Sequence, residues 1–374
     1  MLVPCCVTLV LTARRGKNKA LRKGNFTMKR RGFVLWGFIG LAVISVVAGG
    51  ERAQSTPAAD GGVLVVLNKS DHEAAIVDPA TYKVLAKLST GKGPHEAASS
   101  PDGRTAYVSN YGSYRIFQAS GQGGQAQPGS TITVLDLAGR TVKATFDLGE
   151  YLSPHGIWVS QDGKLVWVTC ERSQAVLELD AASGKVARAW KTNQNVSHMV
   201  VPSKDEKKLY VANIGSGSVT VINRTNDAVV SIPTGAGAEG IDVSPDGREV
   251  WVTNRAAGTV SVIEVATDKV AATFASGGRF PIRVKFTPDG QQVWVSNAQS
   301  NSVSIFDAKM RQLLATMEVG AVPVGILMTP DGKRAFVANT NANQVTVFDV
   351  AGRKILTTLT TGNEPDGMAW AEGK

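Results

Sequence analysis

Cysteine is almost absent from this chain. Cys5 and Cys6 lie in the N-terminal leader, which leaves Cys170 alone in the rest of the 374 residues. A single thiol excludes an internal disulfide, and no C-x-x-C pair is present to hold a structural metal, so the fold must be held by packing. An excess of one charge is missing too. Residues 1–55 carry ten Lys/Arg and one acid, Glu51, which leaves 30 of the 40 bases and 30 of the 31 acids for the remainder. That neutral remainder argues against nucleic acid as a partner, because such binding at physiological salt depends on a basic stripe. No apolar run is long enough for a comfortable membrane span: Phe33–Val47 has 15 residues, where a helix needs about 20. Lys29-Arg30-Arg31 precedes that run and Ala53-Gln54-Ser55 follows it, so residues 28–55 read as a secretory signal, with an uncleaved anchor as the alternative. Residues 1–27 read as a doubtful extension ahead of Met28, and residues 56–61 as a short linker. The expected location is extracytoplasmic, in a bacterium, with no stable membrane span once the signal is cleaved.

What the chain has in quantity is repetition. A unit ending in Ser-Pro-Asp-Gly, two residues, an apolar residue, an aromatic, Val, a small residue and Asn recurs with a period of about 40 residues. Its second half appears as 101–110, 161–170, 204–213, 245–254, 288–297 and 330–339. A seventh copy is split: Glu364–Trp370 supplies its first strand and Gly62–Asn68 its second. Four short strands per unit predict an all-β, seven-bladed propeller over residues 62–374, closed by pairing the two ends of the chain. In the cleanest unit, strands are expected at 240–244, 249–254, 258–264 and 269–275. They alternate apolar and polar residues and are rich in Val, Ile and Thr. Pro245-Asp246-Gly247 turns the chain, with Pro presetting φ and Gly accepting a positive φ.

The repeat then sorts the histidines. His95, His155 and His198 each stand seven residues before the turn aspartate of their own unit, Asp102, Asp162 and Asp205. They are therefore equivalent positions on three consecutive blades, at one mouth of the central channel, here called the top. The ring reads Asp366, His95, His155, His198, Glu239, then the apolar Ile282 and Val324. Imidazoles flanked by carboxylates are a first shell for a divalent metal, Zn, Cu or Ni in preference to Mg or Ca. On that reading His95, His155, His198, Glu239 and Asp366 are the candidate ligands. The competing reading is a hydrogen-bonded histidine ring without a ligand. A long insertion falls on the same face between Asn110 and Ser130. It opens with Tyr111-Gly112-Ser113-Tyr114-Arg115-Ile116-Phe117 and continues as a Gly/Gln-rich tract, a composition suited to a lid over the mouth. Tyr111, Tyr114, Arg115, Glu171, Arg172 and Arg283 are candidate ligand-binding residues. Cys170 stands where the other units end in Asn; a small buried residue explains it better than a nucleophile beside His155. The aromatics of the second strands fit core packing.

At Tyr107-Val108-Ser109-Asn110, Tyr210-Val211-Ala212-Asn213 and Trp251-Val252-Thr253-Asn254 the chain resembles the YVTN family of surface-layer-like and YncE-like propellers, over residues 61–374. The resemblance implies an extracytoplasmic propeller, often with no assigned activity and sometimes binding nucleic acid or other macromolecules. The expected partner of this chain is a small molecule or an extracytoplasmic protein, and the chain is expected as a monomer. Around Pro154-His155-Gly156 it is also similar to streptogramin lyases. There His155 or His198 would act as a base and Glu239 as a metal ligand, although their Gly-Pro-Asp-Gly and Trp-Phe-Thr repeats are missing here. Lactonase-type propellers are a further resemblance, with Arg279 and Arg283 on an anionic substrate. The expected function is ligand or partner binding at the top face, with metal-dependent lyase or lactonase chemistry as the alternative.

Overall fold

The computed structural model describes residues 62–113 and 127–373. They form seven antiparallel sheets of four strands each, the blades of a propeller. Blade 5 runs through Ala238–Val243, Glu249–Asn254, Thr259–Glu264 and Lys269–Ala275. Its inner strand starts two residues earlier than the apolar alternation alone indicates. Blade 1 is built from both ends of the chain: Val63–Asn68 pairs antiparallel with Pro365–Ala371, with Leu64 opposite Trp370. The join therefore presents no open sheet edge.

The apolar residues of these strands pack between blades, because each sheet is covered on both faces. Trp251, Val260 and Val262 of blade 5 meet Val284, Phe286 and Val293 of blade 6 in one cluster. Trp251 stands edge-on to Phe274 and Phe286, at ring separations of 5.3 and 5.5 Å, the arrangement that aromatic quadrupoles favour. Trp167, Trp251 and Trp294 are fully buried, as core packing requires.

Polar devices repeat with the blades. In six turns a Ser or Thr hydroxyl donates to the aspartate two residues on, as Ser100 does to Asp102 and Thr329 to Asp331. The Asn that ends a second strand donates Nδ2 to a hydroxyl on the third strand: Asn213 to Thr220 at 2.9 Å, Asn254 to Ser261 at 2.9 Å, Asn339 to Thr346 at 2.7 Å. Blade 3 replaces both partners at once, with Cys170 for the Asn and Leu177 for the hydroxyl, and both are buried in one apolar cluster. That paired exchange accounts for Cys170. Burial pushes its thiol far above the usual range, so it is neither a thiolate nor a nucleophile at neutral pH.

The inner strands approach one another closely. Four of them carry Gly at their third residue, Gly156, Gly240, Gly325 and Gly367 in the order of the chain. A Cβ on Gly367 would sit 2.1 Å from the carbonyl oxygen of His95 in the next blade, and one on Gly240 would sit 2.1 Å from that of Ile282. Backbone cannot yield as a side chain can. Gly367→Ala is expected to cost about 3 kcal/mol and to lower the melting temperature measured by calorimetry. An unchanged melt would show that the blades can part at the axis.

Candidate functional site at the top of the channel

The residue that enters each inner strand adopts positive φ in all seven blades: Gly93, Ser153, Val196, Gly237, Phe280, Val322 and Glu364. Val196 and Val322 pay a steric cost for this conformation, because a β-branched side chain crowds the left-handed region. Each of these residues accepts, at its carbonyl, the N–H of the residue that follows the closing Asn or Cys of its blade. Seven such clamps set two concentric rings at the mouth. The inner ring is Asp366, His95, His155, His198, Glu239, Ile282 and Val324, as the repeat offset predicts. The outer ring is Lys69, Tyr111, Glu171, Ile214, Arg255, Ala298 and Thr340.

Contacts join the two rings both within and between blades. Lys69 Nζ donates to Asp366 Oδ2 at 3.0 Å. The Tyr111 ring lies 4.8 Å from that of His95, and its hydroxyl donates to Glu171 Oε2 at 2.6 Å. His198 Nδ1–H donates to Glu171 Oε1 at 2.5 Å, and its Nε2 lies 3.6 Å from Glu239 Oε1. Arg255 closes on Glu239 Oε2 at 2.9 Å. The three histidines stack in sequence, with ring centres 4.9 Å apart for His95–His155 and 3.8 Å for His155–His198. All of the inner-ring polar residues are buried.

Burial without a compensating anion keeps imidazoles neutral. Burial, and then the Lys69 ammonium, lowers His95 to about 4. Burial, and then the charges of His198 and His95, hold His155 well below its ordinary value. Burial raises Glu239 above the usual carboxylate range, against the pull of His198 and Arg255. Burial also opposes ionisation of Asp366, but Lys69 and His95 outweigh it and lower that carboxyl.

One trio stands out for its donor atoms. His155, Glu171 and His198 each offer a ligand atom, all within 4.8 Å of one another. His155 Nδ1 is buried with no hydrogen-bond partner, an arrangement that costs free energy unless another group meets it. Two neutral nitrogens and a carboxylate match the donor set of Zn and its neighbours. Of the other expected ligands, Asp366 is held by Lys69, Glu239 by Arg255, and His95 Nδ1 donates to the Gly93 carbonyl at 3.0 Å. A cavity of about 350 Å³ adjoins the trio, lined by Tyr111, Arg172, Gln174, Asn195 and Arg255 among others.

Arg283 differs from expectation. It stands one residue further into its inner strand than the mouth ring, so it enters the channel rather than the top face and is buried there. Its Nη2 donates to Glu96 Oε1 and its Nη1 to the Met199 sulfur at 3.2 Å. Arg279 is exposed and donates to the Gln299 carbonyl. Tyr114 and Arg115, with the expected lid through residue 126, lie outside the described residues, whereas Tyr111, Gly112 and Ser113 at its start are described. Lys69 and Arg255 were missed from sequence, although each directly follows the closing Asn of its repeat, an offset as fixed as that of the histidines.

Fold and site together define a seven-bladed β-propeller with a buried histidine–carboxylate cluster at one channel mouth. Residues 119–287 match the family profile described as YNCE-like beta-propeller. No curated protein matches it. Among solved structures, the Kuenenia stuttgartiensis hydrazine synthase is similar at 24% identity and TM-score 0.67, over 78% of this chain and 93% of that one. The periplasmic gluconolactonase of Pseudomonas aeruginosa is similar at 21% identity and TM-score 0.66, over 84% and 99%. A functionally unknown protein of Desulfotomaculum acetoxidans is similar at 11% identity and TM-score 0.69, over 84% and 100%. At these identities the likeness speaks to the fold. Among the described residues no helix is long and apolar enough to cross a membrane.

Proposed function

We propose that this is an extracytoplasmic binding propeller that holds one divalent metal through His155, Glu171 and His198 and receives a small polar molecule in the adjoining cavity. The observation that carries the reading is the buried, unpartnered His155 Nδ1 beside a second imidazole and a carboxylate. The extracytoplasmic location rests on the signal-like residues 28–55 and on the periplasmic gluconolactonase among the structural neighbours. Bound there, a metal such as Zn supplies Lewis acidity to a ligand oxygen. The chain's own residues do the rest. Tyr111 fixes the Glu171 carboxylate through its hydroxyl, and Arg172 and Arg255 line the cavity with positive charge. Metal uptake needs an unprotonated nitrogen on each imidazole, and protons compete for those nitrogens, so affinity falls as pH falls.

Elemental analysis of the purified protein, made without chelator or histidine tag, is expected to give about one Zn, Cu or Ni per chain. A His155→Ala, His198→Ala double variant and, separately, Glu171→Gln should bind none or lose most of it. Zinc at a hundredfold excess over its dissociation constant should stabilise the native protein by about 2.7 kcal/mol, read as a rise in melting temperature. Protein that melts identically with zinc and with chelator, and carries no metal, would overturn the reading.

A second reading is lactone hydrolysis at the same place. It is favoured by the unpartnered His155 Nδ1, which is open to accept a hydrogen bond from a water, and by the gluconolactonase neighbour. Turnover on a panel of sugar lactones, abolished by chelator and by His155→Ala, would establish it. Metal binding without turnover would leave binding as the function.

A further inference from the structure

Below the histidines the channel is crossed by a partition of three side chains. Where four inner strands carry glycine at the residue after the mouth position, the other three carry Glu96, Met199 and Arg283, and these meet across the axis. On the far side of the partition lies a second cavity, of about 550 Å³, that opens among the Pro-Asp-Gly-type turns at Pro101 and Gln161. Its walls are apolar, with Ile157, Ile326 and Met368 inside and Trp158 and Trp370 partly exposed. A space of this size, mainly apolar with a few polar side chains (Glu96, Ser99, Ser160, Gln161, Lys285 and Arg283), has the character of a small-molecule site. The polar group at the partition with a donor to spare is Arg283, about nine-tenths buried. Its Nη1 donates to a thioether, a weak acceptor for a guanidinium.

Charge decides the class of occupant. Around the axis the carboxylates Glu96, Glu171, Glu239 and Asp366 face the cations Lys69, Arg255 and Arg283. Lys285, which also lines the cavity, is paired with Asp242 at 3.0 Å, so among the described residues acids outnumber bases five to four and no spare positive charge awaits an anion. Arg283 is already committed to Glu96 through Nη2 and has only a hydrogen bond at Nη1 to improve. We infer that the cavity opposite the histidines binds a neutral molecule with an aromatic or aliphatic body and one carbonyl-type acceptor, which takes the place of the Met199 sulfur on Arg283 Nη1.

The test uses a matched pair of probes: the neutral ketone 6-propionyl-2-(dimethylamino)naphthalene and the anionic 6-(dimethylamino)-2-naphthoate. The ketone is expected to bind the purified protein saturably at one site, with blue-shifted emission, and the carboxylate roughly tenfold more weakly or less. A double variant, Glu96→Gln with Arg283→Met, removes the donor without leaving a buried charge alone, and should weaken ketone binding roughly tenfold. Ala98→Trp fills the cavity from a position where blade 3 already carries Trp158, so it is compatible with the blade, and should abolish binding. His155→Ala should leave binding unchanged, which separates this site from the metal site. Absence of saturable binding, binding that survives Ala98→Trp, or a carboxylate that binds as tightly as the ketone would each overturn the inference. If the double variant fails to fold, the probe pair and Ala98→Trp still decide.

Discussion

Glu178→Leu is expected to lower stability by about 4 kcal/mol, which for a domain of this size is about 10 °C in melting temperature. Glu178 is buried in the third strand of blade 3. It accepts from Trp167 Nε1 at 2.8 Å, from Arg188 Nε and Nη2 at 2.8 and 3.1 Å, and from Arg224 Nε and Nη2 at 2.9 and 2.7 Å. Arg224 belongs to blade 4 and lies with its guanidinium 4.6 Å from the centre of the Trp167 ring. One carboxylate thus ties an indole and two guanidiniums across a blade boundary. Its removal leaves a fully buried indole N–H without an acceptor and two cations facing each other. Leu fits the space in apolar terms, since the equivalent residues of other blades are Val or Ile, so the loss reports the stranded donors rather than a cavity. Burial raises the Glu178 carboxyl, but the bonds from Arg188, Trp167 and Arg224 outweigh it and hold it below the ordinary value. A carboxyl depressed in the folded state contributes stability above its unfolded value of about 4.3 and loses it as pH falls through the folded value. The wild type should therefore lose its advantage over Glu178→Leu below about pH 4 in denaturant titrations. A variant that melts with the wild type at pH 7 would show that Arg188 and Arg224 rehydrate without cost.

Where the repeat is regular, sequence alone carries the structure. The turns, the strands and the split blade all follow from one unit written seven times, and the inner ring follows because an offset to the turn aspartate is preserved. Direction and reach of side chains are what the offset does not carry. Arg283 is one residue beyond the mouth position, and on a strand that single step sends its side chain into the channel. Lys69 and Arg255 sit at an equally regular offset, but a lone cation after a closing Asn gives no reason for interest until its carboxylate partner is known. Glu178 was legible as a departure: Ile76, Val134, Val221, Val262, Ile305 and Val347 hold its place in the other blades. A charge at a position otherwise reserved for β-branched apolar residues is a signal of a buried network. Cys170 and Leu177 are the reverse case, two departures that cancel, and their agreement is what marks them as packing.

The stability of the metal-free protein should depend on His95 in a way that can be isolated by difference. With the folded value lowered to about 4 and an unfolded value near 6.5, His95 contributes stability above about pH 6.5 that is lost as pH falls toward the folded value. Between pH 7 and pH 5 the loss is about 2 kcal/mol, because the unfolded chain takes up the proton and the folded one does not. Glu96 and Glu239 act in the opposite sense: burial raises both, so the folded state gains relative to the unfolded one as they take up protons. Their contributions cancel when the wild type is compared with His95→Gln, which retains both acids and an N–H to offer the Gly93 carbonyl. The wild type's stability relative to this variant should therefore fall by about 2 kcal/mol from pH 7 to pH 5 in urea titrations with chelator present. Lys69→Met removes the second cause of the depression after burial, and should shrink that change. A difference that stays flat with pH would mean that His95 takes its proton within the folded mouth, and the stacked imidazoles would then not be held neutral by burial.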